Sequence, residues 1–287
     1  MTAAEPAGAA RPAPAVTATG PADAARPAAA ATAGDAAPSA ANATAAEVGA
    51  WWGTSVSRIE PGVIELRGHP IQELIGNVTL AELIYLMLRG SPAPAGQAAL
   101  LEAALVAGAD HGPHAPSIAI ARMTATCGVG LNNAMANGVN ALGDVHGGAG
   151  QECLALLDDI VAGASVTEVV SRVRYFPGFG HRFHPVDPRR EPMLALTRRA
   201  VDEGVIAGRH LDAALAVEQV LGPRVPMNVD CLTAIIYGEL GFEPPLARGL
   251  FALSRSIGIL AHAWEETQGG RRIKGPIPPS ILPEYRG

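Results

Sequence analysis

Aromatic side chains make up only 4% of this 287-residue chain, charged ones only 17%, and cysteine occurs three times. Each shortage excludes something. Cys127, Cys153 and Cys231 are an odd number with no CxxC spacing, which argues against a disulfide framework. Each stands in an apolar or small-residue stretch and is expected to be a reduced, buried packing residue, which points to a cytoplasmic location. There is no long basic run, the formal net charge is -6 and the pI is about 5.7. Nucleic acid is therefore not the expected partner, because its phosphates demand clustered Lys and Arg. An anionic small molecule stays open, since a local arginine cluster can sit within an acidic protein. No stretch approaches the roughly 20 uninterrupted apolar residues of a membrane span, and the first residues lack the basic start and apolar core of a secretory signal.

What is present is apolar and small: 48% hydrophobic residues and 33 glycines, a composition that suits closely packed helices. Residues 1–48 differ in kind. They are rich in Ala and Pro, and ordering them would cost roughly 1–2 kcal/mol per residue with little burial to offset it. They are expected to form a disordered extension. From Trp51 onward, helical periodicity punctuated by Gly and Pro predicts helices near 79–90, 97–108, 116–127, 130–142, 148–163, 191–203, 209–221, 230–240 and 246–266. Thr79 with Glu82, and Ser165 with Glu168, carry the capping-box pattern. The last helix is apolar nearly all round its middle and is expected to be buried. Val63 to Arg67 alternates as one short strand would. There is no βαβ alternation, so the fold class is all-α.

Four polar islands interrupt this helical text. They are Ala109-Asp110-His111-Gly112-Pro113-His114, Gly143-Asp144-Val145-His146-Gly147-Gly148, Pro177-Gly178-Phe179-Gly180-His181-Arg182, and Pro226-Met227-Asn228-Val229-Asp230. Glycine beside an ionisable residue lets a ligand approach the backbone closely. Three such histidines and an aspartate suit proton transfer at a carbonyl centre. Other chemistries fit less well. His111 with His114, or His181 with His184, would be spaced as metal ligands on a helix, but HExxH is absent and Pro113 breaks the helical spacing. Gly143 to Gly150 matches neither GxGxxG nor GxxxxGK[ST], and no GxSxG marks a serine hydrolase. Among the arginines, Arg255 interrupts the apolar last helix, where an unpaired charge is costly. It reads as an internal ion pair or, preferably, as a clamp for a substrate carboxylate.

Several segments also resemble those of a known family. Leu66-Arg67-Gly68-His69-Pro70-Ile71 and Glu82-Leu83-Ile84-Tyr85-Leu86 resemble segments of citrate synthases. So do the loop Pro177 to His181 with the Asp187-Pro188-Arg189 that follows, Asn228-Val229-Asp230, and Ser254-Arg255-Ser256-Ile257-Gly258. Ala109-Asp110-His111-Gly112-Pro113 is similar to the citryl-CoA lyase branch, which includes the citrate synthase-like module of ATP-citrate lyase. His146 looks like the histidine of true citrate synthases, and the chain is shorter at its start than a full citrate synthase. The resemblance implies a large helical domain (49–147 and 241–287) with an inserted smaller one (148–240), and a homodimer or higher homo-oligomer with shared sites.

It implies His146, His181 and Asp230 as catalytic residues. His111, Arg189, Arg255 and Arg271 or Arg272 of the neighbouring subunit would bind substrate. Pro177, Gly178, Phe179, Gly180 and Arg224 would contact coenzyme A, a thioester substrate with no tightly bound cofactor and no metal beside it. The implied reaction is cleavage of citryl-CoA to acetyl-CoA and oxaloacetate, in which His181 accepts the hydroxyl proton and Asp230 protonates the enol carbon. The alternatives are condensation of acetyl-CoA or another acyl-CoA with oxaloacetate or another 2-oxo acid, and a non-catalytic protein that binds a CoA ester.

Overall fold

Helix starts in the N-terminal part of this chain are written as Thr-x-x-Glu. The computed structural model describes residues 44–270, 272–275 and 277–287, and its contacts divide the chain into two units, 1–92 and 93–287. In the first unit, α1 (Ala45–Trp51) begins at Thr44. The Thr44 hydroxyl accepts from the Glu47 amide at 3.2 Å, while the Glu47 carboxylate accepts from the Thr44 amide at 2.8 Å. This corrects the boundary of the expected extension: residues 44–48 belong to a capped helix, because the reciprocal cap satisfies donors that composition alone ignores. Residues 1–43 lie outside the described residues.

After α1 the chain makes an antiparallel meander of β1 (Ser57–Glu60), β2 (Val63–Leu66) and β3 (His69–Pro70), with Ser57 opposite Leu66 and Glu65 opposite Pro70. One strand is legible in the alternation; the other two are too short or too exposed to show a pattern. A single-turn α2 (Ile71–Leu74) leads to α3 (Leu80–Arg89), whose Thr79–Glu82 capping box forms as expected and which ends at Gly90 in the left-handed conformation. Arg67 donates twice to the Met87 carbonyl, at 2.9 and 2.7 Å, supplying the last turn of α3 with a cation.

The second unit is helical. It runs α4 (Gln97–Gly108), α5 (Pro116–Ala125), α6 (Leu131–Asn140), α7 (Ala149–Val161), α8 (Val166–Ser171), α9 (Arg190–Asp202), α10 (Arg209–Leu221), α11 (Val229–Glu239) and α12 (Pro244–Gln268), with one 3₁₀ turn at Pro279–Ile281. The all-helical expectation holds. Ile118, Ala121, Ala134, Ile259 and Ala263 form a core where α5, α6 and α12 meet. Along α11 nearly every residue from Val229 to Tyr237 is buried, which makes it the rigid centre of this unit.

Three expectations need correction. Ser165 does start α8, but its hydroxyl pairs with Thr167 at 3.0 Å and leaves the cap unmade. Cys127 is exposed, because it falls just past the end of α5, and only Cys153 and Cys231 are buried. Finally, α12 buries one face alone. Leu250, Ser254, Arg255, Gly258 and Ile259 point inward, while Leu253, Ile257, Leu260 and Trp264 are 40–58% exposed.

Candidate active site

The site is built from the ends of helices. Arg255 and Ser254 lie on the inner face of α12, where the Ser254 hydroxyl donates to the Leu105 carbonyl and Arg255 Nε donates to the Gly108 carbonyl at 3.0 Å. Both therefore cap the last turn of α4, whose free carbonyls favour a cation. No carboxylate among the described residues pairs with Arg255, and its guanidinium lies over the Phe251 ring at 4.8 Å. Its two Nη groups stay available to the cavity that the residue lines.

Beyond Gly108 the chain passes through His111 and enters α5 at Pro116, the first helical position. Here the backbone donor lost to proline was free in any case. The next amide, that of Ser117, donates to His146 Nε2 at 3.1 Å, and the Ser117 hydroxyl stands 3.0 Å from the same nitrogen. An N–H donor aimed at Nε2 requires that nitrogen to be unprotonated, so the neutral ring of His146 carries its proton on Nδ1. Burial, then the charge of Arg255, hold its pKa below the usual histidine value.

His181 is fixed by the same logic in the opposite tautomer. Its Nδ1 accepts from the amides of Phe183 and His184 at 3.1 and 3.0 Å, so the ring proton sits on Nε2. Burial outweighs the charge of Asp187 and lowers its pKa. The His181 and Asp230 motifs are joined through their backbones. Phe179 and Met227 form an antiparallel bridge, Gly180 N donates to the Pro226 carbonyl at 2.7 Å, and Asn228 N donates to the Gly178 carbonyl at 2.9 Å. The Asn228 side chain donates to the Gly180 carbonyl and accepts from Asp230 N, capping α11. Gly178 has a φ of +82°, and a Cβ there would lie 2.9 Å from both Cys153 Sγ and Cys231 N.

Asp187 braces the other side. Its carboxylate is 2% exposed, takes two bonds from the Arg189 guanidinium at 2.9 Å each, and also accepts from the Val229 amide at 3.2 Å. Burial raises its pKa, but the Arg189 bonds outweigh it and hold the group at about 2.

These elements enclose a cavity of about 280 Å3 whose walls include His111, His146, His181, Arg189, Asp230 and Arg255. Burial raises the Asp230 pKa, and the charges of Arg189 and Arg255 offset it only in part. The His111 and His181 rings are 5.5 Å apart; burial and the two arginines lower the His111 pKa as well. The cavity thus brings together one carboxyl whose pKa burial raises, imidazoles of His111, His146 and His181 whose charged form burial disfavours, and the arginine cations, which suits transient negative charge on a substrate oxygen.

Of the other expected residues, Gly180 lines the cavity, whereas Pro177, Gly178, Phe179 and the exposed Arg224 do not. Arg272 is exposed and does not line the cavity, and Arg271 lies outside the described residues. Sequence reasoning missed Ser117, Asp187 and Phe251 as supports. Two signals were available: serine directly after a proline helix start, and phenylalanine four residues before Arg255 on one helical face. Among the described residues no group of three or more His, Cys, Asp or Glu is placed to hold a metal, and no helix is long and apolar enough to cross a membrane.

A family model described as the citrate synthase C-terminal domain matches residues 87–276. The chain is 30% identical to a citrate synthase of Corynebacterium glutamicum over 193 residues, 61% of this chain and 44% of that protein. It is 31% identical to citrate synthase 1 of Mycobacterium tuberculosis over 232 residues, 73% of this chain and 53% of that one. The chain thus spans about half the length of the curated relatives it matches. Among solved structures, a citryl-CoA lyase from Hydrogenobacter thermophilus is similar at 31% identity and a TM-score of 0.75, covering 82% of this chain and 94% of that one.

Proposed function

The chain belongs to the citrate synthase family, and from that premise we propose that it cleaves citryl-CoA to acetyl-CoA and oxaloacetate. The observation that carries the reading is the half-buried Asp230 carboxyl in one cavity with His146 and His181, each ring holding an unprotonated nitrogen toward backbone amides. Likeness to a citryl-CoA lyase across most of both chains supports the direction.

Arg189, Arg255 and His111 hold the substrate carboxylates. His181 Nε2–H donates to the tertiary oxygen as the carbon–carbon bond breaks. The electron pair moves toward the thioester, whose oxygen takes a hydrogen bond from His146 Nδ1–H as the enolate forms. Asp230, whose raised pKa favours the protonated state, delivers the proton to the enol carbon. Accepting the hydroxyl proton, the role the resemblance implies for His181, requires both amides to release Nδ1; with those bonds kept, the hydroxyl proton passes to water or a substrate carboxylate, and Asp230 regains from solvent the proton it gives to carbon. Condensation is the reverse, with Asp230 as base.

Segment 148–240 serves as a smaller domain that closes to exclude water. No tightly bound cofactor is needed; coenzyme A enters as the thioester. The exposed apolar stripe of α12 supports a homo-oligomer, and the unpaired cysteines support a cytoplasmic setting. Incubation with citryl-CoA, with oxaloacetate followed through malate dehydrogenase and NADH, tests the proposal. Release of free CoA from acetyl-CoA plus oxaloacetate, without citryl-CoA cleavage, would favour the synthase reading that His146 suggests. Binding of a CoA ester with turnover in neither assay would leave a non-catalytic protein.

A further inference from the structure

The inner face of α12 grips the segment before His111 residue by residue. The Ser254 hydroxyl takes the Leu105 carbonyl, Arg255 Nε takes Gly108, and Gly258 N takes Ala109 at 3.2 Å. One turn further on, His262 Nε2 stands 3.3 Å from Asp110 Oδ2. Gly258 makes that last contact possible, because a Cβ there would lie 2.8 Å from Asp110 Oδ1. The same Asp110 Oδ2 accepts the Gly112 amide at 3.2 Å, closing a turn whose middle residue is His111. A carboxylate only accepts, so His262 donates through Nε2, while its buried Nδ1 makes no hydrogen bond and faces the Glu265 carboxylate at 3.8 Å.

We propose that His262 is a positioning residue for substrate binding: through Asp110 it fixes the turn that presents His111 to the cavity. Neither His262 nor Asp110 lines the cavity, so the effect reaches the substrate through what Asp110 acts on: His111 by the turn it closes, and Arg255 by its charge. The substrate side of this inference rests on the reading of the site as one for citryl-CoA.

The test compares His262→Ala with His262→Gln, whose side-chain amide places an N–H near the position of Nε2. Steady-state kinetics with citryl-CoA are paired with nitrogen NMR of the His111 ring, its signals identified by their loss in His111→Asn. The expected result is a KM about three- to tenfold higher in His262→Ala, the scale of one lost hydrogen bond. Its kcat stays within about threefold, the His111 signals shift, and both KM and signals return toward wild type in His262→Gln. Unchanged KM and unchanged His111 signals in His262→Ala overturn the proposal. So does an equal loss in both variants with His111 unshifted, which marks a purely structural role. If the wild-type protein fails to cleave citryl-CoA, the reaction reading falls, while the His111 signals still decide whether His262 positions that ring.

Discussion

At the scale of single residues, the site depends on where protons are forced to sit. The Ser117 amide places the His146 proton on Nδ1, and two loop amides place the His181 proton on Nε2. Neither choice follows from the histidines themselves. Asp230 is the one carboxyl of the cavity placed to move a proton to or from carbon. Asp230→Asn is expected to lower kcat by about 10²–10⁴-fold with citryl-CoA, and near-normal turnover in the purified variant would remove it from the mechanism. Gly178 is a second point of dependence. Alanine there meets both a left-handed φ and Cys153 Sγ at 2.9 Å, so Gly178→Ala should cost about 1–3 kcal/mol in urea unfolding. It should lower turnover as well, because the same loop carries His181.

At the scale of elements, α7, α10 and α11 are tied by one buried histidine. His210 Nε2 meets Asp158 at 2.9 Å, and Glu239 lies 3.6 Å from Nδ1 while accepting the His210 and Gly208 amides. Burial pushes the His210 pKa down, but the two carboxylates outweigh it and raise it to about 9. A folded pKa above the unfolded value stabilises the protein fully below about 6.5. That stability is lost as pH rises from there through about 9. The melting temperature is therefore expected to fall between pH 6.5 and 9, and this slope should flatten in His210→Leu; equal slopes in the two proteins would contradict the assignment. Cap chemistry shows how far element boundaries can be read. Thr79 with Glu82 forms the box its sequence announces, whereas Ser165 with Glu168 does not, because a second hydroxyl at Thr167 competes for the serine.

At the scale of the molecule, α12 has two uses. Its inner face supports the site, and its outer face exposes Leu253, Ile257, Leu260 and Trp264 in a row. An exposed stripe of large apolar side chains is a feature of association surfaces. If the proposed homo-oligomer uses it, Ile257→Glu combined with Leu260→Glu should lower the mass seen by sedimentation while leaving helical content unchanged. An unaltered mass would assign the stripe elsewhere. The nearly all-round apolar pattern of α12 suggests full burial, and periodicity cannot distinguish burial within one chain from burial between chains.

Sequence by itself determined the helices from α3 to α12, since period and caps are local. Through the order of its motifs it also determined the family, and it pointed to His111, His146, His181 and Asp230, which the fold brings to one cavity. A glycine-flanked histidine at a helix junction is legible because the constraint lies within a few residues of it. The tertiary structure decided what those residues can do. The His146 tautomer comes from an amide 29 residues away, at Ser117, whereas that of His181 is set by its own loop at Phe183 and His184. The raised pKa of Asp230 comes from burial by distant helices, and Asp187 becomes a brace only once Val229 is folded against it. For His146 and Asp230, proton placement and desolvation are set by neighbours in space, and those neighbours are named nowhere in the local sequence.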